Sequence, residues 1–307
     1  MCGQNQTRSD SNLPLRYKQS KLFKIAIIFL SVTIVVLFVG GLVMYAYNNL
    51  SLKNDQTFAR DITTAIENAR MWVEIHQKEI LTKRNIALIR MLQDINTMHP
   101  DQLYSGIVDS FMVGPSHPDC WKRLLDPNYP VTSSELNKTI EQEYIDNKWI
   151  LYAIAPEEAN VTPQQIRLFD SERWQSRQLT HQLWALMHLR QTQGPDDELD
   201  RLIEHLCDRI TSSLRFDIAV VDIYIQKVAF VLKAGFGHKI RRCWVEKIIT
   251  NQQSDGGWND KWFIFTSNRW PTLNLSRPSS NQHATIQALW LLYQVKYRYP
   301  KQFGLSD

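Results

Sequence analysis

The chain has 307 residues, 44% of them hydrophobic and 21% charged, which excludes both a disordered polymer and a bundle of membrane spans. Its net charge of +4 is local. Arg8, Arg16, Lys18, Lys21 and Lys24 stand against Asp10 in the first 24 residues, and the remaining 283 hold 30 basic and 30 acidic side chains. A duplex binder needs clustered cations to release counterions from phosphates, and the neutral remainder has none, so nucleic acid is set aside as a partner.

Residues 25–47 read IAIIFLSVTIVVLFVGGLVMYAY, 23 residues without a charge. At 1.5 Å per residue a helix of this length spans about 34 Å, enough for a hydrocarbon core of about 30 Å. Five cations precede it and only Lys53 follows closely. By the positive-inside rule residues 1–24 form a basic cytoplasmic tail, residues 25–47 a single-pass signal-anchor helix in the lipid bilayer, and residues 48–307 a periplasmic, extracellular or lumenal domain. The rival, a cleaved signal peptide, fits less well: the apolar run exceeds about 15 residues and no small-x-small cleavage site follows. Outside the cytoplasm Cys120, Cys207 and Cys243 could form at most one bridge, with Cys207–Cys243 the favoured pair and three buried apolar thiols the alternative.

From Phe58 onward the chain keeps a helical beat. Phe58, Ile62, Ile66, Ala69, Val73, His76 and Ile80 form one stripe; Ile86, Ile89, Leu92 and Ile95 form a second, ending before Pro100. The two are one long helix or a hairpin broken near residues 81–85. Residues 100–135, with Pro115, Pro118, Pro127, Pro130, Gly106 and Gly114, are expected to be irregular. Short capped helices are expected around residues 133–145 and 161–169. Five longer helices follow, over residues 179–191, 199–214, 218–234, 239–251 and 281–297, the third apolar enough to be an inner helix. Short strand pairings remain open only in residues 259–275. The expected class is all-α: one transmembrane helix followed by a domain of helical hairpins.

Two helix starts are alike: Thr180-His181-Gln182-Leu183-Trp184-Ala185-Leu186 and Gln282-His283-Ala284-Thr285-Ile286-Gln287-Ala288-Leu289-Trp290. Repeated hairpins around a centre would give this pattern, as would chance in helices rich in Ala, Leu and Gln. The turn from Gln252 through Gln253, Ser254, Asp255, Gly256 and Gly257 to Trp258 resembles the glutamine-to-tryptophan turn of the α/α toroid proteins, which include terpenoid cyclases and protein prenyltransferase subunits. The resemblance covers about 50 residues. It implies a toroid or partial toroid in which Gln252 or Gln253 caps a helix, Gly256 and Gly257 turn the chain, and Trp258 packs over the junction. It does not carry the reaction. Asp196-Asp197-Glu198 sits where acids cap a helix start, and Cys243 and His283 lack a spacing that would mark a zinc set.

The groups able to do chemistry are few. Asp255 and Asp260 flank a tryptophan-rich segment with Trp258, Trp262 and Trp270, and glycoside hydrolysis needs two carboxylates with a sugar-binding surface. The bland alternative is an Asp-Gly turn bonding its own backbone beside core tryptophans. His181 and His283 each open a predicted helix. If those helices point the same way, both imidazoles face one cavity and suit proton transfer, although such residues are as often surface brackets. Arg241, between His238 and Arg242, could hold an anionic group of a substrate. No phosphate-cradling loop, His-Glu-x-x-His, Gly-x-Ser-x-Gly or Cys-x-x-Cys is present, and neither cofactor nor metal is expected. The leading expectation is a membrane-anchored domain that binds, and with Asp255, Asp260, His181 and His283 in one groove cleaves, an envelope or surface glycan, with Trp258, Trp262 and Arg241 holding the substrate. The alternative is a noncatalytic interaction or scaffold module of a membrane or envelope assembly. A third reading is a lipid or isoprenoid site.

Overall fold

A computed structural model describes residues 13–51, 53–114, 119–159, 176–217, 219–259 and 279–305. The chain divides into two units, Met1–Tyr47 and Asn48–Asp307. Helix α1, Leu13–Asn49, supplies the first. Its stretch Phe23–Asn49 has a mean hydropathy of 2.8 and none of its most apolar window is buried, so it is long and apolar enough to cross a membrane. The helix begins well before the apolar run, because Leu, Arg, Lys and Gln of residues 13–24 are good helix formers.

The second unit is helical throughout its described residues, with one isolated antiparallel bridge between Trp258 and Asn281. Helix α2, Asp55–Lys83, opens on Asn54, whose side chain accepts from Thr57 N–H, and ends at Arg84, a left-handed residue with φ 51°. Helix α3, Ile86–Met98, restarts at once on the Asn85 cap. The two apolar stripes are therefore separate helices, and the break costs little because asparagine satisfies an otherwise orphaned amide.

The described residues between 100 and 135 are more helical than the prolines nearby suggest. Helix α4, Gln102–Val113, buries Tyr104, Ile107, Val108 and Phe111 at helical spacing. Gly106 lies within it, where a side chain would meet open space, so it weakens the helix without signalling a turn. Asp101 accepts Leu103 N–H and pairs with both Nε and Nη2 of Arg70 on α2, at 2.6 and 3.2 Å. That guanidinium, its hydrogen bond first, draws the Asp101 carboxyl below its ordinary range despite burial. A 3-10 turn, Asp119–Leu124, follows. Helix α5, Ser133–Gln142, is capped by Thr132, and α6, Ile145–Ile154, is a separate helix rather than its continuation.

Helices α7, Ser176–Gln193, and α8, Asp197–Leu214, come next, with Asp196 capping two amides at the start of α8. Then follow α9, Asp222–Lys233; α10, Arg242–Thr250; and α11, Gln282–Tyr293, which runs into a π-helical turn, Gln294–Arg298. Residues 161–169 and 260–275 lie outside the described residues.

Helices α9 and α11 form the centre. Tyr224 through Leu232 on α9, and all of α11 except His283, are buried. They pack on each other; α11 also meets α2 and α3, and α9 meets α7 and α8. Phe230 lies edge-on to Trp290 with ring centroids 5.4 Å apart, a favoured aromatic geometry.

The turn after α10 ties three helices together. Gln252 Nε2 donates to Ala65 O on α2 and to Gly256 O, and Trp258 Nε1 donates to Ile248 O near the end of α10. Trp258 N donates to Thr285 Oγ1, and Asn281 N to Trp258 O, so the turn also fixes the start of α11. Gly256 has φ +88°, and a Cβ there would lie 2.4 Å from Asn68 O of α2. Glycine is required on both counts. Cys120, Cys207 and Cys243 are free buried thiols, so the Cys207–Cys243 bridge does not form. Cys243 Sγ instead points to Asn48 O at 3.5 Å, and burial pushes the Cys207 thiol up to about 12.

Candidate functional site

The start of α11 is set by a chain of local contacts. The Trp258–Asn281 bridge holds the backbone, and Asn281 caps the helix by accepting Ala284 N–H at 2.9 Å. His283 is then in the first turn and, alone on its helix, is not buried. Its Nδ1 lies 2.7 Å from Asp222 Oδ1, and Asp222 is the first residue of α9. Two adjacent helix starts thus create a His–Asp pair. With Nδ1–H donating to the carboxylate, the lone pair is on Nε2, the arrangement in which an imidazole accepts a proton and the carboxylate stabilises the resulting cation. The Gln287 amide, one turn along α11, lies 3.3 Å from Nε2.

His283 lines a cavity of about 370 Å³, at the small end of ligand sites. Its wall comes from the α2–α3 connection (Arg84 and Asn85), Trp121 of the 3-10 turn, Glu143 and Asn147 around the start of α6, and His181 and Trp184 of α7. Glu143 Oε2 accepts from Asn147 Nδ2 at 2.8 Å, which fixes the carboxylate in the wall. Arg84 is held against the Phe111 ring at 5.1 Å. One small space therefore gathers two imidazoles, a carboxylate, two side-chain amides, a guanidinium and two indoles. No family model, curated protein or solved structure matches the chain.

The residues singled out from sequence are distributed unevenly. His181 and His283 line the same cavity. His181 is in the second turn of α7, since that helix begins three residues earlier than its apolar pattern suggests. Asp255 is on no part of this wall. Its Oδ1 accepts from Gly257 N at 3.0 Å and Ser280 Oγ at 2.6 Å, so it braces the turn. Burial works to raise the Asp255 carboxyl, and the bonds from Ser280 and Gly257 work against it, holding the group below the usual carboxylate range. Trp258 is 1% exposed and offers no ring face to a ligand. Arg241 precedes α10 with its guanidinium 5.8 Å from the Trp244 ring, and it too is absent from the cavity wall. Asp260 and Trp262 lie outside the described residues.

Sequence reasoning missed Asp222, Glu143 and Arg84. Asp222 carries a weak signal as an acid in the first turn of an apolar helix, where its default role is to face the helix dipole. Glu143 and Arg84 carry none, because their place depends on where α5 ends and where α2 breaks.

Proposed function

We propose that this chain is a single-pass membrane protein with its tail in the cytoplasm and residues 48–307 outside it, and that the exported domain binds a short glycan in the α3–α7–α11 cavity and hydrolyses it. The reading of topology is supported by the cation excess before the apolar helix. The domain is read as an α/α toroid or partial toroid. What supports this is the buried pair α9 and α11, together with the Gln252–Trp258 turn, whose glutamine reaches α2 and whose tryptophan covers the end of α10.

One observation carries the functional reading: the His283–Asp222 pair opens onto a cavity that also holds Glu143, His181 and two indoles. Indoles supply apolar walls for the faces of sugar rings, and amides and carboxylates match their hydroxyls. Glu143 is the proton donor to the leaving oxygen in this scheme, and His283 takes the proton from the attacking water while Asp222 balances the imidazolium. The bond from the anomeric carbon to the leaving oxygen breaks, and a bond from that carbon to the water oxygen forms.

The test is incubation of the full chain in detergent micelles with short oligosaccharides, following new reducing ends and, separately, binding by calorimetry. H283A and E143Q are expected to abolish cleavage, and D222N to slow it by roughly 10²–10⁴-fold while binding persists. D255N leaves cleavage within a fewfold of wild type. Loss of cleavage in D255N with full activity in H283A would overturn the assignment. Cysteine labelling from either side of sealed vesicles tests the topology, and residues after Tyr47 reacting on the same side as Lys18 would refute it.

A further inference from the structure

A second cavity, of about 350 Å³, lies where α3, α7, the end of α9 and the π-helical turn meet. Trp184 is common to its wall and that of the histidine cavity; otherwise the two are lined by different side chains. Its charge is one-sided. Arg90, Arg190, Lys233 and Arg298 line it, and among the described residues Asp94 is the single acid on the wall. Asp94 is shared between Lys233 at 2.6 Å and Arg90 at 3.4 Å. Arg190 pairs at 3.0 Å with Asp200, which is not on this wall. Arg298 donates to the backbone oxygen of Lys233 at 3.4 Å. Four cations thus face the space with one carboxylate among them; Arg90 is mostly buried, Lys233 half-buried, and Arg190 and Arg298 are exposed at its rim.

A second observation is independent of charge. His188 is 9% exposed, lines both this cavity and a neighbouring one of about 890 Å³ that also holds Glu157 and Glu158, and has an Nε2 with no hydrogen-bond partner among the described residues. A buried polar atom left unpaired costs about 1–3 kcal/mol, so a group so placed points to a ligand atom. Burial, then Arg90 and Lys233, drives the imidazole pKa down to about 3, so the ring is neutral at physiological pH. A neutral imidazole with its hydrogen on Nε2 is a donor without adding charge.

We propose that this cavity binds the phosphoryl group of a small molecule, with the guanidinium of Arg298 and the ammonium of Lys233 facing its oxygens, Arg90 completing the charge, and His188 Nε2–H donating to it. A phosphoryl dianion brings several acceptor oxygens and two negative charges, which suits a wall whose four cations, less Asp94 and the Asp200 paired with Arg190, leave an excess of two. The inference goes beyond the glycan reading and does not depend on it.

The experiment is calorimetric titration of the full chain in micelles, at constant ionic strength, with inorganic phosphate, a hexose phosphate, a short-chain phosphatidate and, as a control, chloride. Saturable binding of at least one phosphoryl compound is expected, weakened at least tenfold in R298Q and in K233Q. The compound bound best distinguishes a soluble phosphate from a lipid headgroup. Among the described residues Arg298 bonds the Lys233 backbone oxygen and lies 5.7 Å from the Tyr299 ring, so R298Q is expected to keep the fold; R298Q and K233Q are both checked by their helical circular dichroism. The His188 imidazole resonances, assigned by their loss in H188N, are expected to shift on binding. D222N is expected to bind phosphate as wild type does, which separates failure of this site from failure of the histidine cavity. Binding that is equal for chloride and phosphate, or unchanged in both R298Q and K233Q, would overturn the proposal.

Discussion

Two glycines have nearly the same backbone angle and very different surroundings, which makes a controlled test of the turn that positions His283. Gly256 has φ +88° and Gly194 has φ +89°. An alanine at either pays about 1–2 kcal/mol for a left-handed backbone, partly offset by about 0.4–1 kcal/mol from restricting the unfolded chain. At Gly194 a Cβ meets nothing within 4 Å, so Gly194→Ala is expected to cost about 1 kcal/mol. At Gly256 the same Cβ falls 2.4 Å from Asn68 O and 2.9 Å from its carbonyl carbon. These are backbone atoms inside α2 and cannot rotate away, so the turn must lift from the helix. Overpacking of this kind costs about 1–3 kcal/mol, and the Gln252 bonds to Ala65 O and Gly256 O weaken with it, at about 1 kcal/mol each. Gly256→Ala is therefore expected to cost about 4–6 kcal/mol if both bonds are lost. The assay is urea unfolding of the full chain in micelles, followed by tryptophan fluorescence, comparing midpoints at constant slope. Because the turn also fixes Asn281, Gly256→Ala is expected to weaken ligand binding at the histidine cavity, whereas Gly194→Ala leaves it unchanged. Equal destabilisation by the two alanines, within about 0.5 kcal/mol, would refute the reasoning.

Other expectations follow from buried groups. Lys227 is 3% exposed in its side chain and pairs with Asp217 at 2.9 Å. D217N strands that ammonium and is expected to cost about 3 kcal/mol, whereas K227M keeps the apolar stem and is expected to cost about 1 kcal/mol or less; equal midpoint shifts in urea would contradict the asymmetry. His188 has a folded-state pKa near 3 against an ordinary value of 6.5, so the unfolded chain binds the extra proton between those values. Stability is then lost as pH falls from about 6.5 toward 3, by up to about 1.4 kcal/mol per pH unit. H188Q is expected to flatten this dependence relative to wild type, and parallel pH profiles for the two proteins would show that the imidazole does not titrate in this way. In a Cys2→Ser background, Cys120, Cys207 and Cys243 are expected to resist maleimide until urea unfolds the domain, because all three are buried; rapid native labelling of any one would place it at the surface.

The helices were legible where an apolar stripe and a cap agree. Asp196 before Leu199 marks α8, while the stripes of α2 and α3 left open one helix or a break near residues 81–85, which the Asn85 cap decides by satisfying an amide that would otherwise be orphaned. Helix α4 was obscured because nearby prolines and Gly106 outweighed Tyr104, Ile107, Val108 and Phe111 in a reading by composition. The glycine is tolerated because tertiary packing on the other face of the helix supplies more than its local propensity removes. The boundary between α5 and α6 was obscured for the opposite reason: Ile140, Tyr144 and Ile145 continue a plausible stripe, and only tertiary contacts decide that the chain turns at Glu143.

That His181 and His283 line one cavity was legible in the sequence, and the carboxylate beside His283 was not, for a physical reason. A helix start can be found from a cap and a period, so His283 and, less accurately, His181 are assigned to helix starts by local rules. Which carboxylate meets an imidazole depends on which helix lies next to it. Asp222 is 61 residues from His283 along the chain, and the two meet because α9 packs on α11 with their starts adjacent. Asp255, by contrast, is two residues from Gly257 and bonds it directly, so its carboxylate is consumed by the turn that makes it conspicuous in sequence. A conspicuous acid in a glycine-rich turn is thus a weaker guide to chemistry here than an unremarkable acid at the start of a buried helix. The pair D222N and D255N measures that difference: the first removes the only carboxylate bonded to His283 among the described residues, and the second removes a brace. If both variants lost catalysis equally while retaining the same fold, proximity across helix starts would not be what organises this site.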